Sequence, residues 1–137
     1  MKLSKHTYWY LVIGLLLLSS CLYGFHYTHK IAAYRKAVAE ISISDVNIPA
    51  IPNGTYIGEC NVDLISAKVQ VTMQDGRIVD IILLKHKNGH GTAAETIPDK
   101  IVSEQRIDID AISGATNSSE VIEKAIENAL TSDFETK

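Results

Sequence analysis

The sequence predicts an α+β fold, in which a small antiparallel sheet with a β-hairpin and packed helices follows an N-terminal transmembrane helix. Three features predict it: an uncharged apolar run near the N-terminus, an alternating apolar and polar segment that ends in Asp-Gly, and an amphipathic helical stripe towards the C-terminus. The 137 residues therefore divide into a membrane anchor with a juxtamembrane helix (1–41), a linker (42–53) and one folded domain (54–137).

The apolar run extends from Tyr8 to Tyr27 and contains no Asp, Glu, Lys or Arg. At the helical rise of about 1.5 Å per residue, about 20 residues cross the roughly 30 Å hydrocarbon core of a bilayer. Lys2 and Lys5 precede the run, which favours a single-pass protein of the cell membrane with an extracytoplasmic C-terminal domain. The sequence LSSC, which ends at Cys21, resembles a bacterial lipoprotein processing site. Lipid anchoring there is the alternative, but the apolar residues that follow favour an uncleaved signal anchor.

The chain between the apolar run and the folded domain changes from a helix-forming to a proline-containing composition. His29–Ile41 is rich in alanine and carries apolar residues at three- and four-residue spacing, so the helix is predicted to continue beyond the membrane. Pro49 and Pro52 then block helix formation and favour extended backbone at the residues before them. Residues 42–53 are therefore predicted to form the linker.

The folded domain is predicted to begin with three strands. Gly54–Cys60 is a short segment rich in β-forming residues, and Ile65–Met73 alternates apolar and polar residues without interruption. Asp75-Gly76 suits the positive φ angles of a tight hairpin turn, and Ile78–Leu84 is apolar enough to return as the next strand. These segments predict the β-hairpin.

A loop, a helix and a short strand are predicted after the hairpin. Residues 85–91 contain glycine and indicate a loop. Thr92–Gln105 is predicted to be helical, with Pro98 as either a break or a second start. Arg106–Ile109 is predicted to form a short strand.

Charge, cysteine content and histidine spacing argue against three classes of function. Residues 41–137 carry fifteen acidic and eight basic side chains, and this negative surplus opposes binding to DNA or RNA. Cys21 and Cys60 are the only cysteines. The first lies in the predicted membrane segment and the second in the folded domain, so neither a disulfide framework nor dithiol chemistry is expected. His86 and His90 are predicted to be solvent-exposed loop residues, and no metal is assigned.

The turn before the C-terminal helix carries the most chemical information. Asn117–Leu130 has an amphipathic stripe, and Asn117 is predicted to be the N-cap with Glu120 as its partner in a capping-box-like arrangement. The N–H groups of a first helical turn and the positive end of the helix dipole favour an anion. Small residues before the helix let the backbone approach a ligand, and two serines offer hydroxyl groups. The predicted phosphate-binding residues are Ser113, Gly114, Ala115, Thr116, Asn117 and Ser118.

Asp110–Thr116, with the sequence DAISGAT, resembles the flavinylation motif Asp-x-x-Ser-Gly-Ala-Thr of the FMN-binding domain family. This domain occurs in subunits of the Rnf and sodium-translocating NADH:quinone reductase complexes and in small membrane-anchored flavoproteins. The resemblance spans Gly54–Leu130. It implies that an extracytoplasmic flavin transferase, which uses FAD and a divalent metal, links FMN through its phosphate to Thr116 and recognises Asp110. The residues after the threonine, Asn117-Ser118-Ser119, differ from those common in the respiratory complexes and leave open which side chains pack on the isoalloxazine ring.

The resemblance implies a membrane-anchored electron carrier rather than a turnover enzyme. A flavin accepts one or two electrons, and the sequence shows no nucleophile or general base with a partner for a second substrate. The implied partners are the membrane, the flavin transferase, and an electron donor and acceptor that the sequence does not identify, among which a quinone-linked donor is one candidate. Two alternatives stay open: non-covalent FMN binding, and a flavin-free structural or binding module at the membrane. Tyr56 either stacks on the flavin or fills the edge of the core.

Overall fold

The computed structural model describes residues 5–132, which fall into two compact units divided after Lys36. Helix α1 (Lys5–Ala39) makes up the described part of the first unit and ends inside the second. Within the described residues it is the one helix long and apolar enough to cross a membrane. The predicted helix is confirmed, and it ends two residues before the predicted boundary at Ile41.

A three-stranded antiparallel sheet forms the centre of the second unit. Its strands β1 (Gly54–Asn61), β2 (Ser66–Gln74) and β3 (Arg77–Lys87) lie side by side in that order. Asp75 and Gly76 join β2 to β3 with φ angles of 51° and 69°, which are the left-handed values of a two-residue hairpin turn. The predicted hairpin is therefore confirmed. The alternation along β2 also corresponds to burial, since one face of the strand is in the core: Ala67, Val69, Val71 and Met73.

Helix α3 (Thr116–Thr131) packs on β1 and β2 and supplies most of the opposite layer. Its apolar stripe is buried as predicted, with each member at most 1% exposed: Val121, Ile122, Ala125, Ile126, Ala129 and Leu130. Gly58 of β1 lies directly against this helix. A Cβ at that position would be closer than 3.0 Å to the backbone of Ala125 and Ala129, so the glycine sets how closely helix and sheet approach.

Helix α2 (Ile97–Glu104) packs on β3 and follows a short 3-10 helix, Thr92–Thr96. Pro98 lies in the first turn of α2, so it starts this helix and does not break it. The predicted strand over Arg106–Ile109 is wrong, because within residues 5–132 the sheet has only three strands and this segment is not one of them.

The side chain of Gln105 explains why Arg106–Ile109 does not extend the sheet. Gln105 ends α2 in the left-handed conformation, and its amide both accepts a hydrogen bond from the backbone N–H of Ile78 (2.9 Å) and donates one to the Ile78 carbonyl (2.7 Å). A side chain thus occupies backbone groups of β3 that a fourth strand would use. Ile107 and Ile109 are buried. The alternation of apolar and polar residues in this segment therefore indicates which side chains are buried, but not that the segment pairs as a strand.

The segment predicted as a linker, residues 42–53, packs against the folded domain. Ile48 and Ile51 are each 5% exposed, and a short 3-10 helix, Ile48–Ala50, begins at the first of them. The side-chain carbonyl of Asn53 accepts a hydrogen bond from the backbone N–H of Asp75 at 2.7 Å, close to the hairpin turn. Prolines prevent a long helix here, but they do not prevent the neighbouring isoleucines from being buried.

Candidate functional site

The turn before α3 positions Thr116 as the first residue of the helix. Ala115 occupies the N-cap position with a φ of −134°, and Gly114 precedes it with a φ of 80°, which glycine adopts without steric cost. The predicted N-cap at Asn117 is therefore wrong, and so is the capping box with Glu120. Asn117 lies inside the first turn because the N-cap is two residues earlier than its side-chain chemistry indicates.

Ser119 holds this turn in place, a role that the sequence pattern does not reveal. Its hydroxyl oxygen accepts a hydrogen bond from the backbone N–H of Ile112 at 3.0 Å and donates one to the carbonyl of Ala115 at 3.0 Å. A third bond, from the N–H of Ala115 to the carbonyl of Ile112 at 2.9 Å, closes the turn itself. Ser119 is fully buried, so the turn is fixed to the helix by a side chain that solvent does not reach.

A cavity of about 360 Å³ lies in front of Thr116. Five of the six predicted phosphate-binding residues line it, whereas Ser113 is exposed on the turn and is not among them. Ile65, His90 and Gly91 also contribute to the walls, and sequence reasoning did not select them because they are distant in the chain. The lining residues are Ile65, His90, Gly91, Gly114, Ala115, Thr116, Asn117 and Ser118.

The electrostatics of the cavity favour an anion. The first turn of α3 contains no acidic residue, and its N–H groups and dipole present partial positive charge. Thr116 is exposed, so its hydroxyl is accessible to another protein. Asp110 is also exposed, and it lies at the other end of the motif, outside the residues that line the cavity.

The loop after β3 forms the wall opposite the helix. Gly91 is so close to the side chain of Ser118 that a Cβ at Gly91 would overlap it, and glycine is required for this contact. Behind the wall lies His86, whose side chain is only 2% exposed and whose Nδ1 is 3.0 Å from Oε1 of Glu95. The prediction of two exposed histidines is therefore wrong for His86, because this residue lies on a strand, while His90 is exposed in the loop.

Tyr56 belongs to a different part of the domain. Its hydroxyl donates a hydrogen bond to the carbonyl of Pro52 at 3.0 Å, and its ring lies over Gly54 at the start of β1. It is not among the residues that line the cavity. Of the two interpretations, filling the edge of the core fits this position.

A larger cavity of about 530 Å³ lies between residues 44–51 and the C-terminal half of α3. Its walls include Glu127, whose carboxylate is only 2.9 Å from the ammonium group of Lys124. The residues that line this cavity include neither the N-terminus of an α-helix nor any residue of the DAISGAT motif. The smaller cavity is therefore the candidate site, because its lining residues suit an anion even though its volume is smaller.

Comparison with known proteins indicates a small flavin-binding domain. Residues 65–131 match the FMN-binding domain family, and this domain of the chain therefore belongs to that family. The chain is also similar to the NADH:acrylate oxidoreductase of Vibrio harveyi, with 38% identity over 65 residues. The aligned part is 45% of this chain but only 6% of that protein, so the chain corresponds to a small part of its relative.

The residues around Thr116 fit the two ends of an FMN molecule. A phosphate suits the uncharged first turn of α3, and Gly114 leaves room beside it, since a Cβ there would meet nothing within 4 Å. Among the described residues, Ile65 is the one large apolar side chain that lines the same cavity, and at 9% exposure it offers a small apolar contact. The site thus offers an anion-binding end and a small apolar contact within one cavity.

Proposed function

We propose that this protein is a membrane-anchored, extracytoplasmic flavoprotein that carries FMN in phosphoester linkage to Thr116 and relays electrons. The observation that carries the proposal is the position of Thr116: an exposed hydroxyl at the first residue of a helix, in a cavity, at the end of an intact DAISGAT motif. The membership of the FMN-binding domain family supports the cofactor, and the resemblance of the motif supports the linkage.

The roles of the chain's own residues follow from their positions. The Thr116 hydroxyl is the attachment point, and the first-turn N–H groups neutralise part of the phosphate charge after attachment. Gly114 supplies the φ of 80° that the turn requires, and Ser119 keeps the turn in one conformation. Asp110 is exposed and is assigned to recognition by the flavin transferase, because a carboxylate close to the phosphate would repel it.

When bound, FMN supplies one- and two-electron transfer, which no side chain of this protein provides. The domain contributes a fixed position for the flavin and an apolar contact from Ile65. The apolar helix α1 is suited to keep the domain at the membrane, where tethering raises its effective concentration near a quinone-linked donor or another membrane-bound partner. Relay between such partners requires no second substrate pocket.

The decisive experiment compares the mass of the intact full-length protein produced with and without a flavin transferase. We expect an FMN adduct and a flavin fluorescence band that survives denaturation only in the presence of the transferase. Thr116→Ala should abolish both, Thr116→Ser should retain part of the adduct, and Thr131→Ala, at the other end of α3, should behave as wild type. A flavin that is lost on denaturation would indicate non-covalent binding, and the absence of flavin in every sample would indicate a flavin-free module.

A further inference from the structure

The wall of the cavity opposite Thr116 is held by a chain of side-chain hydrogen bonds. The backbone N–H of Gly91 donates to the side-chain carbonyl of Asn88 at 3.1 Å, and the hydroxyl of Thr92 lies 3.5 Å from the same oxygen. The amide nitrogen of Asn88 is in turn 3.1 Å from Nδ1 of His86. His86 is therefore connected through Asn88 to Gly91, which lines the cavity.

His86 is fixed from the sheet side. It pairs with Ala67 of β2, which is 1% exposed, and its imidazole is 2% exposed. The other ring nitrogen, Nε2, is buried and has no hydrogen-bond partner among the described residues. Burying a ring nitrogen without a hydrogen-bond partner costs free energy. The hydrogen bonds of the imidazole ring are therefore made at its other nitrogen, Nδ1.

Two groups compete for Nδ1 of His86. The Asn88 carbonyl accepts from Gly91, so the Asn88 amide nitrogen faces His86 and donates to Nδ1 only when that nitrogen is unprotonated. The carboxylate of Glu95, 3.0 Å away, accepts from Nδ1 only when that nitrogen carries a proton. One nitrogen cannot make both hydrogen bonds at once, so the position of the imidazole proton decides whether Asn88 is supported.

We propose that His86 is a positioning residue for the FMN site: its Nδ1 holds Asn88, and through Asn88 the Gly91 wall, in competition with Glu95. The role in flavin binding rests on the proposed function, whereas the competition between Asn88 and Glu95 does not depend on any ligand. Glu95 is 45% exposed and has water as an alternative partner, so its removal costs the fold little.

The test uses hydrogen exchange of the Gly91 amide in the full-length protein without flavin. Replacing His86 by leucine removes the support of Asn88, and exchange at Gly91 should become about tenfold faster. Glu95→Ala removes the competitor, and exchange should become slower. His86→Asn, which keeps a side-chain acceptor close to the position of Nδ1, should restore near wild-type exchange and guards against a leucine variant that fails to fold.

Two results would overturn the inference at this stage. Unchanged exchange in both variants would show that the chain of contacts does not hold Gly91. Faster exchange in both would show that His86 and Glu95 act as one structural pair without competition. Ile78→Ala, at the other end of β3, is the matched control for general destabilisation, since Ile78 is 1% exposed and lies outside the cavity.

The flavin-loaded protein provides the second readout. In wild type and each variant, intact mass first establishes whether Thr116 carries FMN. We then expect His86→Leu to shift the flavin absorption bands and the midpoint potential, while Ile78→Ala leaves both unchanged. An adduct at Thr116 with a spectrum that His86→Leu does not alter would overturn the positioning role alone, whereas the absence of any adduct would overturn the proposed function and leave the exchange result intact.

Discussion

Replacing Glu123 by glutamine is expected to make the domain more stable at neutral and alkaline pH. Glu123 lies on α3, is 3% exposed, and its Oε1 is buried without a hydrogen-bond partner among the described residues. Burial, with a smaller effect of the negative charges of Asp108 and Glu120 in the same direction, raises the pKa of its carboxyl group to about 8. Glu123 is therefore protonated in the folded protein at neutral pH.

The sign of the pH dependence follows from the raised pKa. In the unfolded chain the carboxyl group has its ordinary pKa of 4.5 and is ionised over most of the range in which the folded protein keeps the proton. Unfolding thus releases a proton between pH 4.5 and about 8. The free energy of unfolding is highest below this window and falls by up to about 1.4 kcal/mol per pH unit as pH rises through it. The total loss is on the order of a few kcal/mol.

Glutamine has nearly the same shape as glutamic acid but does not ionise. At acidic pH Glu123→Gln and wild type should have similar stability, and by about pH 8 the variant should be more stable by a few kcal/mol. Urea unfolding of the full-length protein in detergent, followed by circular dichroism at several pH values, measures this difference. With a urea slope of about 1–3 kcal/mol per M, the midpoints should separate by at least about 1 M.

Glu59→Gln is the matched control, because the Glu59 side chain is 51% exposed on β1. Its midpoint should follow wild type at every pH. If Glu123→Gln and wild type kept the same separation of midpoints across the whole pH range, the carboxyl group would ionise normally and the reasoning from its burial would be refuted.

Three further predictions concern packing, recognition and topology. Gly58→Ala places a Cβ against the backbone of α3 and should destabilise the domain by about 1–3 kcal/mol, measured by urea unfolding; an unchanged midpoint would show that the helix shifts freely. Asp110→Ala should lower the fraction of protein flavinylated, measured by intact mass, with a stability change below about 1 kcal/mol, since the residue is exposed; full flavinylation with easy unfolding would make it a structural residue instead. A membrane-impermeant protease added to whole cells should cleave the domain. Protection until the membrane is opened would contradict the extracytoplasmic placement. A protease is a better probe than a cysteine-reactive reagent, because burial raises the pKa of the Cys60 thiol and lowers its reactivity.

The sequence by itself determined the features that depend on local periodicity and local chemistry. The apolar run predicts α1, the alternation and Asp-Gly predict the hairpin, and the stripe predicts the buried face of α3, because these patterns are set by residues that are neighbours in the chain. The DAISGAT motif identified the family and the turn before α3 for the same reason. Arg106–Ile109 shows the limit: alternation predicts burial correctly, but whether a buried segment pairs as a strand depends on partners elsewhere.

Only the tertiary structure decided how distant segments meet at the site. Gly91 and Ile65 lie in loops at the ends of the strands and reach the cavity because the sheet and α3 pack closely. No local pattern encodes that contact. His86 is predicted as a loop residue from its glycine-rich neighbourhood, yet β3 extends to Lys87 and buries its side chain beside Glu95. The start of α3 at Thr116 is likewise set by the Ser119 hydrogen bonds to the turn. These bonds stabilise an N-cap at Ala115, whereas capping preferences alone place the N-cap two residues later.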